Sequence, residues 1–301
     1  LNKALNDIHF SNGINELNDA INRLKFDEHF FLQLLMALRK QKVQTSGTKP
    51  LPDIGPYFRT ISDTLDFELT GAQKKVIKEI HSDLKRSFPM NRLIQGDVGC
   101  GKTIVAILVS ALAVGNNVQV AIMAPTEILA SQHYHSFKGK LEKVNIPCTL
   151  LVGKMKKSDR GPILSGLKNG NIPVVIGTHA LIQDDLMFKN LRLVIVDEQH
   201  RFGVNQRSAL LEKGHHPHFM AMTATPIPRT LSITYHGDMD LSIIDEMPAD
   251  RIPVITKVVE PRRLNKVYTF IKQEVAAGRQ CMVVYPLVEE SEKSDLAAAV
   301  E

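Results

Sequence analysis

Residues Gly96 to Thr103 read GDVGCGKT, a glycine-spaced loop closed by a lysine and a hydroxyl. Glycines at Gly96, Gly99 and Gly101 permit backbone angles that a Cβ forbids, so successive N–H groups can converge on phosphate oxygens. Lys102 would then reach the β- and γ-phosphates of a nucleoside triphosphate, and the Thr103 hydroxyl would hold Mg²⁺. Cys100 fills the variable position of the loop and is counted with the residues lining the nucleotide. Farther along, LVIVDEQH (Leu193 to His200) sets four apolar residues before two carboxylates. Asp197 would hold Mg²⁺ opposite Thr103, and Glu198 would orient and deprotonate the attacking water. In-line attack on a γ-phosphate needs both charge neutralisation and an aligned nucleophile. His200 follows where it would sense the γ-phosphate and touch the next strand end, where Thr223 and Thr225 would relay the contact. Upstream, the amide of Gln73 can donate to and accept from an adenine edge at once, which suits base selection.

These residues need a frame. Leu93 and Ile94 predict a short strand into the loop, and TIVAILVSALAV after it predicts a buried helix whose positive end faces the phosphates. Apolar runs predict further strands at 118–124, 148–152, 173–176, 192–197, 219–222, 253–259 and 281–286. Strands alternating with helices imply an α/β fold, a parallel sheet covered on both faces. Ligands of such sheets gather at the carboxyl ends of the strands. Thr126, Glu127, Thr178, His179, Asp197, Glu198, Thr223 and Thr225 all fall there. Before the loop, Ile14, Leu17, Ile21 and Leu24 form one helical face and Phe30, Phe31, Leu34, Leu35 and Leu38 a second. They predict a helical hairpin packed on a neighbour, with Asp27 as a cap between its arms. TSGTKPLPDIGP (45–56) reads as a linker, and Phe67, Leu69, Thr70 and Gln73 lead into an amphipathic helix. The expected divisions are 1–66, 67–247 and 248–301.

Composition narrows the class. With 301 residues, 44% hydrophobic and 23% charged, the chain can bury a sizeable core. The apolar stretch from Thr103 to Val114 is too short to span a bilayer, and no basic-plus-apolar leader opens the chain. The three cysteines lack metal-ligand spacing and read as reduced thiols, pointing to a cytoplasmic setting. A net charge of +5 is only a mild basic bias. Lys154, Lys156, Lys157 and Arg160 form a basic run, either a solvated loop or a track for nucleic-acid phosphates. The chain opens on Leu1 and stops at Glu301 inside a helical pattern, which predicts a piece of a longer protein.

GDVGCGKT, APTEILA, GTHAL, DEQHRFGV and MTATPIPRT, in that order, resemble the first motor domain of superfamily-two helicases. The DEQH box running into Arg201, Phe202, Gly203 and Val204, followed by TATPIPRT, resembles the RecG family of bacterial ATP-dependent DNA helicases, and this likeness extends over residues 1–301. The resemblance implies a RecA-like P-loop fold, with the start of a second such domain at the end. It implies ATP and Mg²⁺ as cofactors, with Gln73 on adenine and Gly99, Gly101, Lys102 and Thr103 on the triphosphate. Pro125, Thr126, Gly177, Thr178 and His179 match motifs that touch the DNA backbone, with Lys154 alongside, and Thr223 to Thr225 and Arg229 would couple ATP state to domain motion. Backbone contact suits movement along DNA without sequence preference. The implied partner is branched double-stranded DNA at stalled forks and Holliday junctions, in recombination and repair. A single-strand-binding protein is a further implied partner, and the family suggests a monomer in the bacterial cytoplasm, near the nucleoid.

The Mfd family of transcription-repair coupling translocases shares most of these motifs but usually carries Glu where Gln199 stands. A non-catalytic, nucleotide-gated DNA-binding module is the alternative of another class, against which the intact Lys102 and Glu198 argue. The resemblance also places arginine fingers in the second motor domain beyond VITKVVE and CMVVYPLVEE. Such fingers contribute about 10³–10⁵ in rate. Residues 1–301 alone are therefore expected to bind Mg·ATP weakly and hydrolyse it very slowly.

Overall fold

The computed structural model describes residues 1–225, 239–249 and 254–284, the side chains of Gln44, Lys157 and Val204 excepted. The chain divides into two compact units, Leu1–Asp250 and Arg251–Glu301. The first begins with helices α1 (Asn2–Phe10), α2 (Ile14–Thr45), α3 (Gly55–Asp63) and α4 (Gly71–Leu84), then strand β1 (Asn91–Gly96). Alternation follows through α5 (Lys102–Gly115), β2 (Gln119–Met123), α6 (Glu127–Leu141), β3 (Cys148–Leu151) and α7 (Lys157–Asn169). It continues with β4 (Val174–Gly177), β5 (Leu191–Asp197), α8 (Val204–Leu211), β6 (His218–Thr223) and β7 (Asp240–Ile244).

The seven strands form one sheet in the order β3-β4-β2-β5-β6-β1-β7, with parallel pairing throughout. Successive side chains point to opposite faces, and the strands obey that rule. Val120 and Ile122 enter the core beneath α3 to α6, whereas Ala121 and Met123 enter the one beneath α7 and α8. Ile195 and Met220 join the first core; Val194, Val196 and Ala221 join the second. Helix α5 is apolar all round because it lies inside the molecule, buried at every residue from Ile104 to Ala113. Truncating Leu108 to alanine there would cost about 2–5 kcal/mol. Burial also pushes the Cys148 thiol up to about 12, so it stays protonated and inert.

The expected α/β fold is present, with the following differences. First, the N-terminal helices turn at Ser11–Gly13, not at Asp27. Asp27 lies inside the 32-residue α2, paired at 3.0 Å with Arg23 one turn back, an arrangement that supports a helix. Second, the expected linker or loop is irregular from 46 to 54, as read, but it is not detached from the core. Leu51 and Ile61 are fully buried in the first core, and α3 starts at Gly55-Pro56 because proline fits the first helical turn. Third, β7 adds an edge strand beside β1 that the apolar pattern did not announce. Fourth, no strand occurs at 254–259 or 281–284, where Val254, Ile255 and Val258 are exposed. An apolar strand needs a neighbour to take up its N–H and C=O groups. Positions 253, 285 and 286 of those expected strands lie outside the described residues. The second unit carries a helix, Leu264–Ala276, with no buried residue. The apolar face of α2, including Phe30, Phe31, Leu34, Leu35 and Leu38, is likewise exposed rather than packed on a neighbour. No helix of the described residues is long and apolar enough to cross a membrane.

Candidate nucleotide site and nucleic-acid interface

Strand β1 ends at Gly96 and the chain turns through Asp97–Gly101 into α5. Gly101 stands at φ 88°, the left-handed region that glycine adopts without strain, and a Cβ there would overlap Nε2 of Gln73. Gly99 is also left-handed, at φ 87°. Gly96 differs from expectation: it is the last residue of the strand, and its missing side chain makes room for Cys100 Sγ and the Ile244 carbonyl. Cys100 is correspondingly buried, so it lines the loop with backbone and not with its thiol. Lys102 Nζ folds back to donate to the carbonyls of Gly96 at 2.6 Å and Asp97 at 2.9 Å. Thr103, half-buried, follows in the first turn of α5, where N–H groups have no intrahelical acceptor.

Gln73 is placed beside this loop by a reciprocal cap. The Thr70 hydroxyl accepts from Gln73 N–H at 3.2 Å, and Gln73 Oε1 accepts from Thr70 N–H at 2.9 Å. Its Nε2 donates to the Cys100 carbonyl at 2.7 Å, and the residue is 1% exposed. Both ends of the amide are thus occupied, and an adenine contact would require an exchange of partners. Glu246, just beyond β7, was not expected here. Its Oε2 accepts from Ala72 N–H at 3.0 Å, a carboxylate at the positive end of α4.

On the acidic side, β5 delivers Asp197 to the sheet edge. The registers align Asp197 with Met222 and Met222 with Ile94, and Thr223 with Gln95, so β5, β6 and β1 end side by side, each about one residue beyond the last. At strand spacing, the backbones of Asp197 and of Ile94, two residues before Gly96, lie about 10 Å apart across the sheet, with Met222 between them. Glu198 adopts φ 49°, ψ 54°. A non-glycine residue in that region is strained, and such strain concentrates at functional sites. His200 Nδ1 lies 3.4 Å from Glu198 Oε2. Thr223 and Thr225 share a hydroxyl–hydroxyl bond of 2.8 Å. Arg229 lies outside the described residues. Phe202 packs on the second core.

His133, missed in the sequence, bonds Asp197 directly: Nε2 and Oδ2 are 2.7 Å apart. It sits on the buried face of α6 with Ala130, Phe137 and Leu141, a polar residue at apolar spacing. That pattern was the one available signal.

The residues expected on DNA divide by exposure. Thr126, Lys154 and His179 are exposed and Pro125 is half-buried, whereas Gly177 and Thr178 are buried. The Thr126 hydroxyl caps α6, accepting from Leu129 N–H at 3.2 Å. A side chain at Gly177 would overlap the Leu151 carbonyl, so this glycine serves the close approach of β3 to β4. A Cβ at Gly153 would lie 3.4 Å from His179 Nε2 and 3.7 Å from Glu127 Oε1, which brings the ends of β2, β3 and β4 together. Of the basic run, Lys154 and Lys156 are free to face solvent, while Arg160 is held by Asp185 at 2.9 Å and by Gln183 at 2.6 Å.

This donor set suits a magnesium–triphosphate. Mg²⁺ usually takes one or two carboxylates plus substrate phosphates and water, not an all-protein cage. Among the described residues no cluster of three His, Cys, Asp or Glu could hold a metal alone. The left-handed glycines, the lysine resting on carbonyls and Asp197, with one oxygen bonded to His133, are the matching parts.

Comparison with known proteins agrees with this geometry. Residues 70–233 match the family described as DEAD/DEAH box helicase. ATP-dependent DNA helicase RecG of Synechocystis sp. is 46% identical over 303 residues, covering 100% of this chain and 36% of that protein. RecG of Aquifex aeolicus is 48% identical over 96% of this chain and 37% of its own length. The chain thus spans less than half of these relatives. A structure of RecG bound to a three-way DNA junction superposes with a TM-score of 0.84 at 43% identity, over 95% of this chain and 38% of that one. The helicase MrfA bound to DNA, at 16% identity and a TM-score of 0.55, shares the fold. The chain belongs to the DEAD/DEAH box helicase family, and over its whole length it is similar to the RecG helicases.

Proposed function

We propose that residues 67–247 form the first RecA-like motor domain of an ATP-dependent DNA helicase that remodels branched DNA in recombination and repair. The observation that carries this reading is the row of strand ends β5-β6-β1, which sets Asp197 and the strained Glu198 across from the Lys102 loop. Residues 1–66 precede this motor, and 248–301 begin a second one.

ATP binding would draw Lys102 off the Gly96 and Asp97 carbonyls and onto the β- and γ-phosphates. The loop N–H groups from Gly99 to Thr103 would take the remaining phosphate oxygens. Thr103 and Asp197 would hold Mg²⁺, which would supply charge neutralisation at the phosphates. Glu198 aligns water for in-line attack and accepts its proton. His200 beside Glu198, then Thr223, Thr225 and Arg229, would pass the loss of the γ-phosphate to the rest of the motor. Gln73 would read adenine by releasing the Cys100 carbonyl.

For DNA, Thr126, Lys154 and His179 supply exposed contacts to phosphate, with Pro125, Gly177 and Thr178 shaping the backbone beneath them. The junction-bound RecG structure supports branched duplex DNA as the partner. The same reading includes a monomeric protein of the bacterial cytoplasm, recruited by a single-strand-binding protein. Residues 1–301 alone would bind nucleotide but turn it over slowly.

The test is phosphate release by the complete protein against linear, forked and four-way DNA. Branched DNA should stimulate it most, and Asp197→Asn should abolish the stimulation. Equal rates on all three DNAs, or an unaffected Asp197→Asn variant, would refute the proposal.

A further inference from the structure

Beside the residues expected at the nucleotide site, one further buried side chain touches it. His133 comes from α6, 64 residues before Asp197 in the chain, and its Nε2 stands 2.7 Å from Oδ2 of that carboxylate. The two side chains are 11% and 13% exposed. An ionised carboxylate only accepts, so the ring proton of this bond sits on Nε2. The ring is held edge-on by Phe137, with centroids 6.4 Å apart and planes at 81°, and its helix is anchored by the Thr126 cap. No protein group among the described residues takes the other carboxylate oxygen, Oδ1.

We propose that His133 is a positioning residue for the magnesium–nucleotide site: it fixes Asp197 through Oδ2 and reserves Oδ1 for the metal shell. The inference rests on the nucleotide-site reading above. A carboxylate on a strand end rotates about two side-chain bonds; a donor on one oxygen removes that freedom and decides which oxygen remains. Ligating carboxylates are commonly held this way, and loss of such a partner typically costs 10–100-fold in metal affinity. Simple core packing would not require a polar ring between Ala130 and Phe137, nor a 2.7 Å bond to an acid at the strand end beside the phosphate loop.

The experiment is equilibrium binding of a fluorescent ADP analogue to the full chain, in EDTA and across a Mg²⁺ series. The unsubstituted chain should bind ADP more tightly as Mg²⁺ rises. His133→Ala should need about tenfold more Mg²⁺ for the same strengthening, with unchanged binding in EDTA. His133→Gln, whose amide N–H can occupy the Nε2 position, should recover most of the loss. Coincident Mg²⁺ curves for the unsubstituted chain and His133→Ala, or an equal weakening in EDTA, would overturn the proposal. Should His133→Ala not fold, the ring Hε2 resonance, assigned by its absence in His133→Gln, carries the test. It should move when Mg²⁺ is added to the ADP-bound chain and not with ADP alone; an unmoved resonance overturns the assignment. Magnesium that leaves ADP binding by the unsubstituted chain unaltered would instead refute the nucleotide-site reading itself.

Discussion

The two ends of the sheet are made from the same strands and use their polar residues in opposite ways. At the amino end most of them close on one another, with His218 Nε2 the buried exception that finds no hydrogen bond among the described residues. Gln119 donates to the carbonyls of Leu167 and Ile172, both at 2.9 Å, and accepts from Asn190 N–H at 2.9 Å. His218 Nδ1 accepts from Met90 N–H at 3.1 Å, and Thr48 donates to the His216 carbonyl at 2.7 Å. At the carboxyl end they stay open or strained: Glu198 is left-handed, the Lys102 ammonium rests on loop carbonyls, and the Thr178 hydroxyl is buried without a partner among the described residues. A closed ring of donors and acceptors contributes stability. An open row leaves its binding capacity to a ligand.

The sharpest way to break this contrast is to truncate one residue at each end. Lys102→Ala should lower DNA-stimulated ATP turnover of the complete protein about 10³-fold, the scale of losing one preorganised electrostatic contact. It should leave the urea midpoint nearly unchanged. Gln119→Ala should do the reverse. The Leu167 carbonyl keeps the N–H groups of Gly170 and Lys189, but the part-buried Ile172 carbonyl and Asn190 N–H lose their partner. This costs about 1–3 kcal/mol for each group that finds no water, while turnover per folded molecule should persist. If both variants lost activity alike, the division between the two ends would be wrong.

Next in size is a pH effect confined to the amino end. Burial drives the His218 imidazole down to about 4, with Arg192 adding to the shift and the Lys49 carbonyl opposing it. The unfolded chain takes up this proton near the ordinary 6.5, whereas the folded chain does not until about 4. Stability is therefore full above the unfolded value and falls as pH drops through this window, with no further loss from this group below it. The 2.5-unit gap amounts to about 3 kcal/mol. Urea unfolding from pH 7 to 4 should show that slope, and His218→Asn, which keeps an acceptor for Met90 N–H, should flatten it. An unchanged slope in the variant would remove His218 from the account.

The same contrast explains what was legible in the sequence. The phosphate loop and the LVIVDE strand could be read because local chain chemistry dictates them: glycines for the turn, four apolar residues to bury a central strand. Edge strand β7 was missed because Asp240 and Ser242 break the apolar run, and Ile243 faces outward at 42% exposure. A strand of that kind is recognised only from its partner. Asp27 was misread because cap and helix interior differ by a partner, Arg23, and not by residue type. The partners of His133 and Glu246 were hidden for a stronger reason. They lie 64 and 174 residues away, and only folding makes those neighbours. Gln73 was assigned to a base from its type, yet the folded chain has it bridging a helix cap and the phosphate loop.

The finest test concerns Glu198 and separates strain from chemistry at a single residue. An L-residue in the left-handed region costs about 1–2 kcal/mol. Glycine relieves that cost but gives back about 0.5–1 kcal/mol in chain entropy. Glu198→Gly should therefore raise unfolding stability by about 0.5–1 kcal/mol in denaturant titrations. It should also cut turnover by at least about 10²-fold, since the carboxylate that aligns water is gone. The paired control is Asn145, left-handed at φ 56° in the turn before β3, away from the nucleotide site. Asn145→Gly should change stability by less, because asparagine tolerates that region better than glutamate, and it should leave turnover alone. Loss of stability in Glu198→Gly would mean that the left-handed geometry is upheld by the glutamate side chain itself, and strain would no longer mark this end of the sheet as the working one.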